Sequence, residues 1–156
     1  MVDTKMPIYL LMKNLYHFLI FCFLSNLVFS SDFEVKMLNS GPSGIMVFDP
    51  PVIKVEKGDT VHFKSVDMAH NSESIKHMMP IGGDTWMGGM SQDVSITFNT
   101  EGVYVYQCTP HLMMAMVGVI QVGNNNNLED VKQKANQLKN SFVTNKERLT
   151  QYLSEL

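Results

Sequence analysis

The chain has 156 residues, 45% hydrophobic and 17% charged, with a formal net charge of −3. That length gives room for one domain, and the slight acidic excess supplies no basic face for a nucleic acid. With two cysteines, Cys22 and Cys108, it is not a disulfide-stapled scaffold either.

The first thirty residues read as a secretory leader. Lys5 and Lys13 precede an apolar stretch, Leu15 to Phe29, which ends at Val28-Phe29-Ser30 with a small residue at the cleavage position. Met12-Lys13 offers an alternative start. His17, Ser25 and Asn26 interrupt the stretch, which falls short of the ~20 apolar residues a membrane span needs. We therefore expect export and cleavage after Ser30, with no membrane attachment afterwards. Cys22 leaves with the leader, and Cys108 becomes a lone thiol in an oxidising compartment, a liability unless a metal occupies it. Residues 31–156 hold ten basic and fourteen acidic side chains, a formal charge of −4.

From Asp32 to Leu38 apolar and polar residues alternate, with Phe33, Val35 and Met37 on one face, as in a half-buried strand. Gly41-Pro42-Ser43-Gly44 breaks the pattern. Met46 to Phe48 and Val52 to Val55 are short extended runs separated by Asp49-Pro50-Pro51, and Lys57-Gly58-Asp59 turns the chain into another strand, Thr60 to Val66. In that strand His62 falls on the polar face, so it is not counted as a ligand. Asp67 to Ser91 has no sustained period; it carries His70-Asn71, a short helical turn over Ser74 to His77, then loop punctuation at Pro80, Gly82-Gly83 and Gly88-Gly89. His77 is read as a surface histidine. Strands return at Val94–Phe98, Val103–Gln107 and Val117–Val122. After the polar run Asn124–Asn127, Leu128, Val131, Ala135 and Leu138 mark one helical face, with Asn127 as its cap, and Phe142, Leu149, Tyr152 and Leu156 mark a second. Seven or eight short strands at this spacing predict an all-β Greek-key sandwich or barrel with two C-terminal helices. The expected organisation is a leader over 1–30, the β-domain over 31–123, and a linker with helical extension over 124–156.

The chemistry concentrates in Gln107-Cys108-Thr109-Pro110-His111-Leu112-Met113-Met114-Ala115-Met116. A thiol, an imidazole and several thioethers on one loop form a soft ligand set suited to copper, and His70 is the natural supplier of a second nitrogen. Two histidines and a cysteine in a plane, with a long axial methionine, describe an electron-transfer copper site. By spacing alone Met113, Met114 and Met116 all compete for the axial place.

Five blocks stand in order along the chain: Glu34-Val35-Lys36-Met37-Leu38-Asn39, Met46-Val47-Phe48-Asp49-Pro50, Lys57-Gly58-Asp59-Thr60-Val61, His70-Asn71-Ser72-Glu73-Ser74-Ile75-Lys76 and Cys108-Thr109-Pro110-His111. By these blocks and their order the run from Asp32 to Gly123 resembles the pseudoazurins, a branch of the cupredoxin family of small periplasmic blue-copper proteins. The resemblance implies a cupredoxin-like fold, one copper held by His70, Cys108, His111 and Met116, and no enzymatic activity. Asn71 and Thr109 match positions that tie the ligand loops together, and Pro110 limits backbone freedom and removes an N–H beside the site. The resemblance further implies a monomer in the periplasm whose electrons pass through the edge of His111. Around that edge lies an apolar patch, here including Met46, Met87, Met90, Pro110, Met113 and Met114. Redox proteins would dock there transiently: a reductase such as copper nitrite reductase, a cytochrome or a terminal oxidase. Many pseudoazurins ring the patch with lysines, whereas the aligned positions here are Ser40, Met68, Met87 and Gln107. With ten methionines beyond the leader, a copper chaperone or store is the alternative. A structural zinc site is disfavoured by the single thiol.

Overall fold

The structure, a computed structural model, describes residues 30–156; the leader expected over 1–30 lies outside the described residues except for Ser30. Eight strands appear among the described residues: β1 Asp32–Gly41, β2 Gly44–Asp49, β3 Val52–Val55, β4 Thr60–Ser65, β5 Glu73–Ser74, β6 Val94–Thr97, β7 Gly102–Gln107 and β8 Val117–Val122. They form two four-stranded sheets, ordered β2-β1-β4-β6 and β3-β8-β7-β5, packed as a sandwich rather than closed into a barrel. Both sheets are mixed, because β1 pairs parallel to β4 and β3 parallel to β8.

The alternation in the sequence decides which face of the first sheet is covered. Val35, Met37, Val61 and Phe63 point inward and are buried, while Lys64 on the other face pairs with Asp93. His62 also lies on that outer face, bonded to Ser95 Oγ at 2.7 Å and Asp32 Oδ1 at 3.2 Å, far from any ligand role. Between the sheets sits an aromatic core. Phe63 stacks on Trp86 at 5.5 Å between centroids and meets Tyr106 edge-on at 4.9 Å, and Phe48 meets Tyr106 at 4.7 Å. Gly118, opposite Tyr106 on β8, makes room for that ring: a Cβ there would lie 2.3 Å from the phenol.

The second sheet does not alternate. Val103, Tyr104, Val105 and Tyr106 are all buried, because β7 has a core on each side. Tyr104 and Tyr106 enter the aromatic cluster; Val103, Val105, Val117 and Val119 pack with Val131, Phe142, Leu149 and Leu153 from the C-terminal segment. That segment holds two helices, α1 Leu128–Leu138 and α2 Arg148–Leu153. The second is shorter than the apolar spacing suggests, since Phe142 lies in extended backbone ahead of it. The chain end is docked: Lys54 Nζ donates to Glu155 O, and Asn125 Nδ2 donates to Leu156 O.

Two local expectations are corrected. Ser74 belongs to the two-residue strand β5, paired with Tyr106, and only Lys76–His77 turns. Asn127 makes no side-chain cap for α1; instead its amide grips the backbone N–H and C=O of Val103 at 2.7 and 2.9 Å. No helix among the described residues is long and apolar enough to cross a membrane.

Candidate metal centre

The topology brings the site together at one end of the sandwich. Cys108 directly follows β7, and a six-residue 3-10 segment, Thr109–Met114, carries His111. The loop closes on itself: Cys108 N donates to Met116 O at 2.9 Å, and Met116 N donates back to His111 O at 3.2 Å. A non-glycine corner at Ala115, φ 57°, ends the segment and turns the chain into β8.

His70 arrives from the other sheet, beyond β4. Its loop has no regular structure but is fixed by hydrogen bonds to the segment 86–91. Ser91 N donates to His70 O at 2.7 Å, Ala69 N donates to Ser91 Oγ at 2.8 Å, and Trp86 Nε1 donates to Ser72 Oγ at 2.9 Å.

His70, Cys108 and His111 offer ligand atoms that all lie within 4.8 Å of one another. The two Nδ1 atoms are 3.1 Å apart, and Cys108 Sγ is 3.6 Å from His70 Nδ1 and 3.4 Å from His111 Nδ1. A point equidistant from the three atoms lies about 2.0 Å from each, close to the bond length of imidazole to a divalent transition metal. A thiolate and two imidazoles in one plane fit copper. His70, Cys108 and Met116 are fully buried, and Met116 packs in the same cluster as Cys108; His111 is half-buried.

Neighbouring groups set the protonation of these ligands. His70 Nε2 lies 3.0 Å from Asn39 Oδ1, an acceptor, so the ring proton sits on Nε2 and Nδ1 keeps its lone pair. Burial pushes His70 down from 6.5, nearby His111 adds to the effect, and Asp67 partly opposes it; the neutral ring a metal needs is favoured. Burial pushes the Cys108 thiol up from 9.0, with the Asn71 and His111 backbone N–H groups partly offsetting it. The thiolate therefore needs a further positive charge to be stable, which a metal ion would supply.

Asn71 joins the two ligand loops. Thr109 N donates to its Oδ1 at 2.8 Å, and its Nδ2 donates to Thr109 Oγ1 at 3.0 Å, while Thr109 Oγ1 donates on to Glu73 Oε2 at 2.7 Å. Pro110 is exposed at the start of the 3-10 segment. Of the methionines placed in the apolar patch, Met87 (72%), Met90 and Met113 (61%) are exposed, and Met46 and Met114 are half-buried. Met68, absent from that set, is the most open of the methionines among the described residues, 79% exposed. His77 is exposed and stands outside the ligand cluster.

Residues 35–123 match the model of the copper-binding proteins of the plastocyanin/azurin family. A pseudoazurin from Methylorubrum extorquens is 44% identical over 104 residues, which is 66% of this chain and 70% of that protein. Among solved structures, native pseudoazurin from Hyphomicrobium denitrificans superposes with a TM-score of 0.72 at 36% identity, covering 80% of this chain and 98% of that one. The pseudoazurin from Methylobacterium extorquens gives 0.69 at 39% identity with the same coverage.

The chain belongs to the pseudoazurins, within the plastocyanin/azurin family. It is thus a copper-binding, blue-copper electron carrier and not an enzyme.

Two supports were not singled out from sequence. Asn39 stood in a quoted block without a role; because β1 and β4 run parallel, with Met37 opposite Ser65, the residues just beyond them, Asn39 and Asp67, also meet, and Asn39 N donates to Asp67 Oδ2 at 2.6 Å. Glu73 likewise gave no signal, because its partner Thr109 lies 36 residues away.

Proposed function

We propose that the protein is a periplasmic one-electron shuttle in which His70, Cys108, His111 and Met116 hold a single copper ion. The observation that carries this reading is the convergence of one thiol and two Nδ1 atoms on a point at the end of a rigid sandwich. Bound copper supplies the one-electron couple. The chain's own contribution is to keep the donor atoms still, because any rearrangement between redox states adds to the barrier. Asn39 holds the His70 ring, Asn71 and Thr109 tie the two ligand loops together, and the bond from Cys108 N to Met116 O fixes the loop's two ends. Buried Cys108, His70 and Met116 exclude water from the site.

Met116 would complete the set holding the ion with a soft thioether, because it is buried beside Cys108, whereas Met113 is exposed. Electrons would pass by way of His111, the ligand residue nearest solvent, to partners docking on Met46, Met87, Met90, Met113 and Met114. Such partners are a reductase, a cytochrome or an oxidase, meeting the protein as a monomer. Flexible thioethers favour a short-lived contact. The positions where many relatives carry lysines hold Ser40, Met68, Met87 and Gln107, so electrostatic steering is weak. Association should depend little on ionic strength; a steep fall in rate with added salt would sink this part.

A copper store or chaperone would present open, exchangeable ligands. The burial of three of the four proposed ligands favours the carrier. Reversible reduction and reoxidation without loss of metal tests the choice: retention supports the carrier, and copper release on each cycle supports the store. The leader at 1–30, the copper domain at 31–123 and the extension at 124–156 complete the proposal, and cell fractionation checks the periplasmic address.

A further inference from the structure

The segment after α1 packs aliphatic side chains on the second sheet, yet it carries a buried cation. Arg148, at the start of α2, is 7% exposed, and none of the salt bridges among the described residues involves it. A buried guanidinium without an acid must find other acceptors, or its desolvation is uncompensated. Among the described residues all its hydrogen-bond partners are backbone carbonyls. Nη1 donates to Met46 O and Ala115 O, both at 3.0 Å, and to Met114 O at 3.4 Å; Nη2 donates to Ile45 O at 3.2 Å. Two of these acceptors belong to β2, and two are the last residues before Met116.

The neighbouring residues reinforce this grip. Val143 N donates to Met113 O at 2.7 Å, and Asn145 Nδ2 donates to Met114 O at 3.4 Å. Three successive carbonyls of the ligand loop, at 113, 114 and 115, are therefore held by the stretch 143–148. The grip falls at a left-handed corner of the ligand loop. Ala115 has φ 57°, a left-handed conformation that a non-glycine residue keeps only where its surroundings enforce it. That corner sends Ala115 into the outer core and Met116 into the inner one, beside Cys108.

We propose that Arg148 is a positioning residue of the metal centre: by fixing the carbonyls of Met114 and Ala115 against β2, it sets where Met116 stands relative to Cys108 and the two histidines. The inference rests on the copper-site reading above. Its planar fork of donors suits several carbonyls at once, which a lysine ammonium on a flexible stem cannot match.

The test compares wild type, Arg148→Gln, Arg148→Lys and Leu153→Ala. The last loosens the packing of α2 without touching the loop carbonyls. Three quantities are read: the visible spectrum and reduction potential of the Cu(II) protein, the rate of copper release to a chelator, and amide hydrogen exchange at Ala115 and Met116 in the metal-free protein. Arg148→Gln should change the spectrum and potential, release copper about tenfold faster, the low end of what losing an outer support costs a metal site, and lose protection at both amides. Arg148→Lys should fall between it and wild type, and it carries the test if Arg148→Gln does not fold. Leu153→Ala should lose stability while keeping the wild-type spectrum, potential and release rate. Wild-type values for all three readouts in the folded arginine variants, or equal shifts in Leu153→Ala, would overturn the positioning role while leaving the copper site intact. A wild-type protein with no intense visible band would overturn both.

Discussion

The second sheet separates two cores that differ in chemistry. The inner one, between the sheets, is aromatic and sulfur-rich: Phe48, Phe63, Trp86, Phe98, Tyr104 and Tyr106 pack with Met37, Cys108 and Met116. The outer one, under the helices, is mostly aliphatic, with Val103, Val105, Val117, Val119, Val131 and Leu149. The ligand loop crosses from one to the other between Ala115 and Met116. Large, interlocking rings hold the protein side of the metal centre rigid, whereas the aliphatic layer supplies stability and closes the sheet from behind. The outer face of the first sheet, by contrast, is polar and faces water.

Substitutions in the two cores should therefore separate stability from site geometry. The largest effect is expected from Phe63→Ala, which removes a fully buried ring touching both Trp86 and Tyr106. It should cost about 3–5 kcal/mol in denaturant unfolding and also perturb the visible spectrum. Leu149→Ala, equally buried in the outer core, should cost about 2–4 kcal/mol, with the spectrum unchanged. If both variants alter the spectrum alike, the division between the cores fails.

Asn71→Ala comes next. It removes the acceptor of Thr109 N–H and the donor to Thr109 Oγ1, and should cost about 1–3 kcal/mol while speeding copper release. A stability loss with unchanged release would make Asn71 a peg and not a stay of the ligand loops.

The smallest effect belongs to the open face. Asp93 takes Lys64 Nζ and Ser65 N–H, and its carboxyl lies below the ordinary 3.8, first through the Lys64 bond and then through Ser65. A lowered carboxyl contributes stability above pH 3.8 that is lost as pH falls through its folded value. Asp93→Asn should therefore be slightly less stable than wild type near neutrality, with the gap closing below pH 4 and shrinking in salt. A gap that widens on acidification would contradict the sign.

Much of this was legible in the chain. The alternation at 32–38 and 60–66 marks the inward face of the first sheet, and Cys108 and His111 stand out on one short loop, where Met113, Met114 and Met116 compete by spacing and the resemblance alone picks Met116. β7 was legible as a strand over Val103–Gln107, but its cover on both faces depends on the C-terminal segment packing behind it. What escaped depends on partners far off in sequence. Ser74 is a strand residue only because Tyr106 lies opposite it, Asn127 leaves its helix for Val103, and Asn39 meets His70 through a parallel pairing that no local pattern announces. Arg148 is the extreme case, reaching residues 33 and 102 positions away.

The most direct measurement is the visible absorption of the protein titrated with Cu(II), then reduced and reoxidised, beside Cys108→Ser. The account predicts one copper per chain and an intense thiolate-to-copper band that bleaches, returns without metal loss, and is missing from Cys108→Ser. A pale wild type, or one that sheds its copper on cycling, would contradict it.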